Sequence, residues 1–204
     1  MTSGIIYDPS YLMHEQSPTH PERRERLSYT LDQLEEEGIF DIPEIKLIRP
    51  KPARRDDVLL VHSLEYLKFL EESSINGGII DADTYVPKNL IHDALLAAGG
   101  AICAADAVVN QQVKNAFVLS RPPGHHAGRS NGAGFCYLNN IAIMTRYLQR
   151  RGLRRIMIVD WDAHHGNGTE EIFYDDPTVL FCSVHQYPFY PGSGRIEDIG
   201  IREG

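Results

Sequence analysis

The sequence predicts an α/β fold built on a mainly parallel sheet, and three features carry that prediction. Ile156 to Val159 is an unbroken apolar run, β-branched at three of four positions, as a strand covered on both faces of a parallel sheet requires. Short apolar runs of this kind alternate along the chain with segments of helical periodicity, a pattern that calls for right-handed crossovers and a doubly wound sheet. No internal repeat, linker or low-complexity segment interrupts the alternation, so residues 1–204 read as one domain.

Gly4 to Tyr7 reads as the first strand. His14 to Glu22 reads as loop, broken by Pro18 and Pro21, with His14 and His20 as loop histidines rather than ligands. Glu22 to Glu37 places Leu27, Leu31 and Leu34 at helical spacing, and Gly38 supplies the stop. Ile45 to Ile48 is a strand closed by Pro50 and Pro52. From Asp56-Asp57 a single helix-like segment runs through Val61, Leu64, Leu67 and Leu70 to Glu72, ended by Asn76-Gly77-Gly78. Asp81 to Pro87 reads as an acidic, solvated connection. Asn89 to Val109 is a long Ala-rich helix, whose Gly99-Gly100 pair costs propensity and implies close packing against the sheet. Ala116 to Ser120 is a strand, Asn139 to Arg150 a helix, Arg155 to Asp160 the central strand, Thr169 to Phe173 a short helix and Thr178 to Val184 another strand.

With 42% hydrophobic and 24% charged residues, the chain has the composition of a globular protein rather than a disordered one. A net charge of −8 argues against direct nucleic-acid binding or an anionic membrane surface. Cys103, Cys136 and Cys182 form no Cys-x-x-Cys pair, so neither a disulfide framework nor a zinc knuckle is indicated and a reducing, cytoplasmic setting is expected. No secretory leader pattern and no apolar run near 18 residues is read, so no membrane partner is expected.

Polarity inverts at the end of the central strand. Asp160, Asp162 and His164 follow at alternate positions, and in extended chain such residues project to one side. The carboxyl ends of parallel strands are where open α/β sheets place ligands. Carboxylate oxygen and imidazole nitrogen suit a divalent ion such as Zn2+, with Fe2+ as the other candidate. The strand before Arg121 ends on the same edge, which lets the tandem His125-His126 face Asp162 and His164. Two histidines beside such a metal suggest hydrolysis, one of them moving protons, with Asp160 holding a ring N–H of His125. Gly-x-Ser-x-Gly, P-loop and dinucleotide fingerprints are absent from the sequence.

Four stretches, Arg121-Pro-Pro-Gly-His-His-Ala127, Gly134-Phe-Cys-Tyr-Leu-Asn-Asn140, Ile158-Val-Asp-Trp-Asp-Ala-His-His-Gly-Asn-Gly-Thr169 and Pro191-Gly-Ser-Gly194, closely resemble the zinc-dependent histone deacetylase superfamily in residues and order. That superfamily includes acetoin-utilisation proteins and acetylpolyamine amidohydrolases, and Trp161 and Asn167 look more like its class II branch. The resemblance implies an arginase-like three-layer α/β/α fold and hydrolysis of an acetylated lysine-type amine, whether protein lysine, polyamine or small metabolite. It implies Asp162 and His164 as zinc ligands, His126 as general base, His125 as its electrostatic partner or proton donor, and Asp160 as the carboxylate behind His125. Asn167 stands where many relatives carry an aspartate behind the second histidine, so His126 should be less basic and neutral at physiological pH. Gly134, Phe135 and Tyr190 match the walls of a narrow substrate tunnel, and Asp83 the rim aspartate.

The resemblance further implies a structural K+ site using Asp160, Asp162, His164, Ser183 and Val184, partly through main-chain carbonyls, and a second monovalent site using Phe173, Asp176 and Val179. The family's third metal ligand, a later aspartate, and its oxyanion tyrosine after a Gly-Gly pair have no match up to Gly204. The expectation is therefore a domain short of its C-terminal strands, inactive alone, with an unpaired sheet edge open to a missing segment or to homo-oligomer formation. A non-catalytic acyl-lysine-binding module and an arginase-like two-metal hydrolase are the alternatives. The His125-His126 pair and Phe135 disfavour the second.

Overall fold

The computed structural model describes residues 2–17 and 19–204, so the loop break read at Pro18 lies outside the described residues. Strands β1 (Ser3–Ile6), β2 (Ile45–Ile48) and β5 (Asn115–Val118) form a parallel sheet in the order β2-β1-β5. Strands β6 (Ile156–Asp160) and β7 (Val179–Ser183) form a second parallel pair, with Asp160 opposite Ser183. The expected mixed α/β architecture is present, but the parallel strands fall into two half-sheets. Between β5 and β6 the described residues form no backbone ladder.

This division corrects the reading of β6 as a strand covered on both faces. Ile158 is buried, yet Met157 and Val159 are 60% and 46% exposed. Alternate side chains point to opposite faces of a strand, and only one face of β6 meets the core of Phe173, Val179 and Ile143.

Helices α1 (Glu25–Glu36), α2 (Arg55–Val58), α3 (Leu64–Asn76), α4 (Leu90–Val109), α5 (Asn140–Arg150) and α6 (Asn167–Phe173) fill the remainder. Gly38 follows α1 in the left-handed region (φ +66°), as its stop role requires. The single helix expected from Asp56 to Glu72 is instead two. Ser63 adopts an extended conformation and its side chain accepts the Tyr66 amide, so it caps a new helix where the periodicity alone suggested continuity. The acidic connection at 81–87 is also corrected: β3 (Gly78–Asp81) and β4 (Thr84–Val86) pair as an antiparallel hairpin turning at Ala82-Asp83. Its flanks, Ile79-Ile80 and Tyr85-Val86, are good strand residues that the acidic turn obscured.

Helix α4 is 20 residues long with mean hydropathy 1.4, long and apolar enough to cross a membrane on those criteria, contrary to the expectation that no stretch comes near. Here it is a core helix, burying Leu90, Ala94, Ala97 and Ala98. A Cβ on Gly100 would lie 2.6 Å from the Tyr11 hydroxyl and 3.2 Å from Val118 in β5, the close approach to the sheet that was expected, whereas one on Gly99 would run into the Lys51 carbonyl of the loop after β2. His14 and His20 sit on loop backbone, but their side chains are buried. His14 lies between Glu22 (3.5 Å) and Asp93 (3.3 Å), while His20 donates through Nε2 to the Asp83 carbonyl (2.8 Å) and accepts the Glu22 amide at Nδ1 (3.0 Å).

Candidate active site

Three loops leave the carboxyl ends of β5, β6 and β7 and converge. The first begins at Arg121, which is 4% exposed and forks onto the fully buried Glu22 at 2.6 and 2.8 Å while donating to the Tyr11 carbonyl. A buried guanidinium needs a pairing of this kind, and here it fixes where the loop starts. Its far end is tied by Asn139, the N-cap of α5, whose side-chain amide donates to the Ala127 carbonyl (3.0 Å) and the Thr169 hydroxyl (3.1 Å). The Asn139 amide in turn donates to His62 Nε2 (3.0 Å). Arg121 and Asn139 lie inside recognised motifs, but nothing in their spacing revealed these anchoring roles. Glu22 and His62 lie outside those motifs and carried no sequence signal.

So held, the His125 and His126 rings lie with centroids 4.0 Å apart and planes tilted by 45°. His125 Nδ1 lies 2.9 Å from Asp160 Oδ2, as expected, and its Nε2 lies 4.0 Å from Asp162. Burial would raise the Asp160 pKa, but the His125 hydrogen bond and charge and the Asp162 amide outweigh it and hold the carboxyl below its ordinary value. His126 is 3% exposed and its Nδ1 lies 2.8 Å from Asn167 Oδ1. Burial, reinforced by His125, pulls His126 down to about 4, against the opposing hydrogen bond that His126 donates to the Asn167 oxygen. The ring is therefore neutral at pH 7. With Nδ1–H given to the Asn167 oxygen, Nε2 keeps the open lone pair.

Asp162 and His164 adjoin one another: Asp162 Oδ1 accepts the His164 amide (2.8 Å) and lies 3.2 Å from His164 Nδ1. Both side chains are half exposed and line a cavity of about 440 Å³ together with His125, His126, Gly134, Phe135, Tyr190 and Asp83. The structure thus brings the expected ligands, histidines, tunnel walls and rim aspartate to one place. The Tyr190 ring stands edge-on to His126 (5.1 Å) and His164 (5.7 Å). Phe135 occupies the left-handed region (φ +71°), unusual for an aromatic residue, with its ring against His20 (4.7 Å) and its amide given to Thr84 of the hairpin (3.1 Å). Burial and the neighbouring Asp81 raise the Asp83 pKa.

Carboxylate and imidazole fit a divalent ion as a pair. Among the described residues no group of three His, Cys, Asp or Glu side chains is close enough to complete a set. Of the residues named for the two K+ sites, Asp160, Ser183 and Val184 adjoin at the ends of β6 and β7, and Phe173, Asp176 and Val179 adjoin at the turn after α6. Val184 donates to the Asp160 carbonyl (2.9 Å) at the ends of β6 and β7, while Ser183 Oγ lies 2.9 Å from His185 Nδ1. The Phe173 carbonyl accepts the Asp176 amide (3.0 Å) and the Asp176 carbonyl the Val179 amide (3.2 Å). Burial would raise the Asp176 pKa, but hydrogen bonds from Thr178, Gln149 and Arg146 hold it at about 2. Its side chain is therefore already committed, leaving carbonyls as the donors at that turn.

Comparison with known proteins finds a family model and several relatives. Residues 20–204 match the family model described as the histone deacetylase domain. The chain is 59% identical to a probable deacetylase of Archaeoglobus fulgidus, over all of this chain and 57% of that protein. It is 36% identical to the chloroplastic histone deacetylase 10 of Oryza sativa subsp. japonica (98% of this chain, 49% of that one) and 35% identical to histone deacetylase 7 of Homo sapiens (100% and 25%). It superposes on the crystal structure of the HDA15 HD domain with a TM-score of 0.94 at 34% identity, covering all of this chain and 60% of that one. The chain thus spans between a quarter and three-fifths of these relatives.

Proposed function

The chain belongs to the histone deacetylase family, with its arginase-like α/β fold, and from that premise we propose that the protein carrying it hydrolyses an acetylated lysine-type amine to acetate and free amine. The observation that carries the reading is a buried His126 lining the same cavity as Asp162 and His164. Asp162 and His164 would hold a divalent ion, zinc by preference or iron, which when bound polarises the acetyl carbonyl and acidifies water. His126 Nε2 accepts the proton of the attacking water, its Nδ1–H being fixed on Asn167. His125, oriented by Asp160, stands beside it to balance charge and return a proton to the leaving amine. Phe135, Gly134 and Tyr190 enclose an aliphatic stem, and Asp83 faces the substrate at the rim. K+ would sit at the ends of β6 and β7 and at the turn after α6, acting structurally.

The experiment is acetate release from acetyl-lysine peptides and acetylpolyamines by the full-length, zinc-loaded protein. His126→Ala is expected to lower kcat by on the order of 10²-fold or more with the metal retained. Normal turnover by that variant would move the proton transfer elsewhere, and a wild type inert on every acetyl amide would refute the reading. Residues 1–204 alone hold two ligands and no oxyanion tyrosine, and the same assay should find them inactive.

A further inference from the structure

The loop that follows β7 is exposed from Gln186 to Tyr190, yet Tyr190 forms a wall of the catalytic cavity. An exposed segment that must place an aromatic ring over His126 and His164 needs an anchor beyond the ring, and the structure has one at Ser193-Gly194. Ser193 Oγ lies 2.9 Å from His165 Nδ1, and the Gly194 carbonyl 3.0 Å from His185 Nε2. The His165 and His185 rings lie 4.6 Å apart, with His165 only 2% exposed.

The hydrogen-bond pattern places a proton on one ring nitrogen of His185. A carbonyl only accepts, so His185 Nε2 carries the proton, and its Nδ1 accepts the Ser183 hydroxyl (2.9 Å). His165 Nε2 lies 3.4 Å from the Glu170 carboxylate, while its Nδ1 is hydrogen-bonded to the Ser193 hydroxyl. Gly194 has φ +82°, and a Cβ there would lie 2.5 Å from His185 Nε2 and 2.7 Å from His165 Cγ. The loop therefore presses on the imidazole pair with no room for a side chain.

We propose that His165 and His185 form a latch that positions Tyr190 and so sets the bore of the cavity, making them positioning residues for substrate binding that touch no substrate themselves. The proposal rests on the deacetylase reading for its kinetic consequence and on geometry alone for the latch. His165 follows β6 and His185 follows β7, so the latch refers the tunnel wall to the end of β6 that leads into Asp162 and His164 and to its paired neighbour β7. A rigid scaffold places an exposed functional loop in this way.

In the full-length enzyme, Ser193→Ala and His185→Leu should each raise KM for an acetyl-lysine peptide roughly tenfold while kcat changes less than about threefold, the signature of lost uniform binding. His185→Gln can still donate to the Gly194 carbonyl and should restore KM. Amide exchange over residues 186–194, including the Gly192 amide bonded to the Phe189 carbonyl (2.8 Å), should accelerate in the first two variants and not in the third. Ser193→Ala removes one hydroxyl from a partly exposed site and carries the test if His185→Leu does not fold. Wild-type KM and wild-type exchange in Ser193→Ala overturn the latch, and so does a fall in kcat at unchanged KM. If the wild type cleaves no acetyl amide, the deacetylase reading fails, and the exchange rates still decide the latch.

Discussion

Acidification should destabilise this fold through His62, and replacing that residue should remove the effect. His62 is 1% exposed, its Nε2 accepts the Asn139 amide at 3.0 Å, and burial depresses its pKa to about 4, with the Gly128 and Arg129 main chain opposing. In the unfolded chain the ring titrates near ~6.5. The folded-state pKa of this base is lowered, so the unfolded state takes up the proton first. Stability is complete above ~6.5, falls as pH drops towards 4, and levels off below. A shift of ~2.5 units corresponds to about 3 kcal/mol in full, of which about 2 kcal/mol is lost between pH 7.5 and 5.0. His126 is lowered in the same direction and adds its own loss, so the comparison must be differential. His62→Gln keeps an acceptor for the Asn139 amide and cannot titrate. Urea unfolding at pH 7.5 and 5.0 should show wild type losing about 2 kcal/mol more than this variant on acidification. Equal losses in the two proteins would refute the assignment of the penalty to His62.

Two further outcomes follow from the buried charges and the metal pair. Glu22→Ala leaves the Arg121 guanidinium buried without its carboxylate and should destabilise by about 3–5 kcal/mol, read as a lowered denaturation midpoint; a change under about 1 kcal/mol would show that the fork does not anchor the loop. Asp162→Ala should abolish stoichiometric zinc in elemental analysis of the full-length protein, and retained zinc would remove Asp162 from the ligand set.

Much of the fold was legible because its signals were local. The strand at Ile45–Ile48, the long helix from Leu90 and the strand-to-ligand transition at Asp160 each announce themselves by periodicity or by an abrupt change in polarity. What was misread depended on neighbours. The apolar run at β6 cannot tell one covered face from two, because burial of Met157 and Val159 is decided by what packs against them. The helix break at Ser63 was hidden because apolar residues on both sides kept helical spacing, so only the capping hydrogen bond distinguishes one helix from two. In the candidate site, His125, His126, Asp162 and His164 were readable because the chemistry proposed for them needs particular side chains. Glu22, His62 and His185 act on backbone or on other side chains, which many residue types could do, so their identity carries no comparable signal.

The same hydrogen bonds also explain how two half-sheets without a shared ladder hold a common site. The Thr169 amide donates to the His125 carbonyl (3.1 Å), Asn139 reaches both Ala127 and Thr169, and His125 and His126 reach Asp160 and Asn167. Asn139 to Ala127 ties the loop after β5 to the α5 cap, and the other contacts join that loop or that cap to the end of β6 or the start of α6. Helix α5 supports them by packing on α4 behind the sheet and on α6 beside the site. The groups read as catalytic are therefore part of the join between the two halves of the molecule. Changing one of them alters alignment as well as chemistry, so the kcat loss in His126→Ala has to be weighed against a measured stability before it is assigned to proton transfer alone.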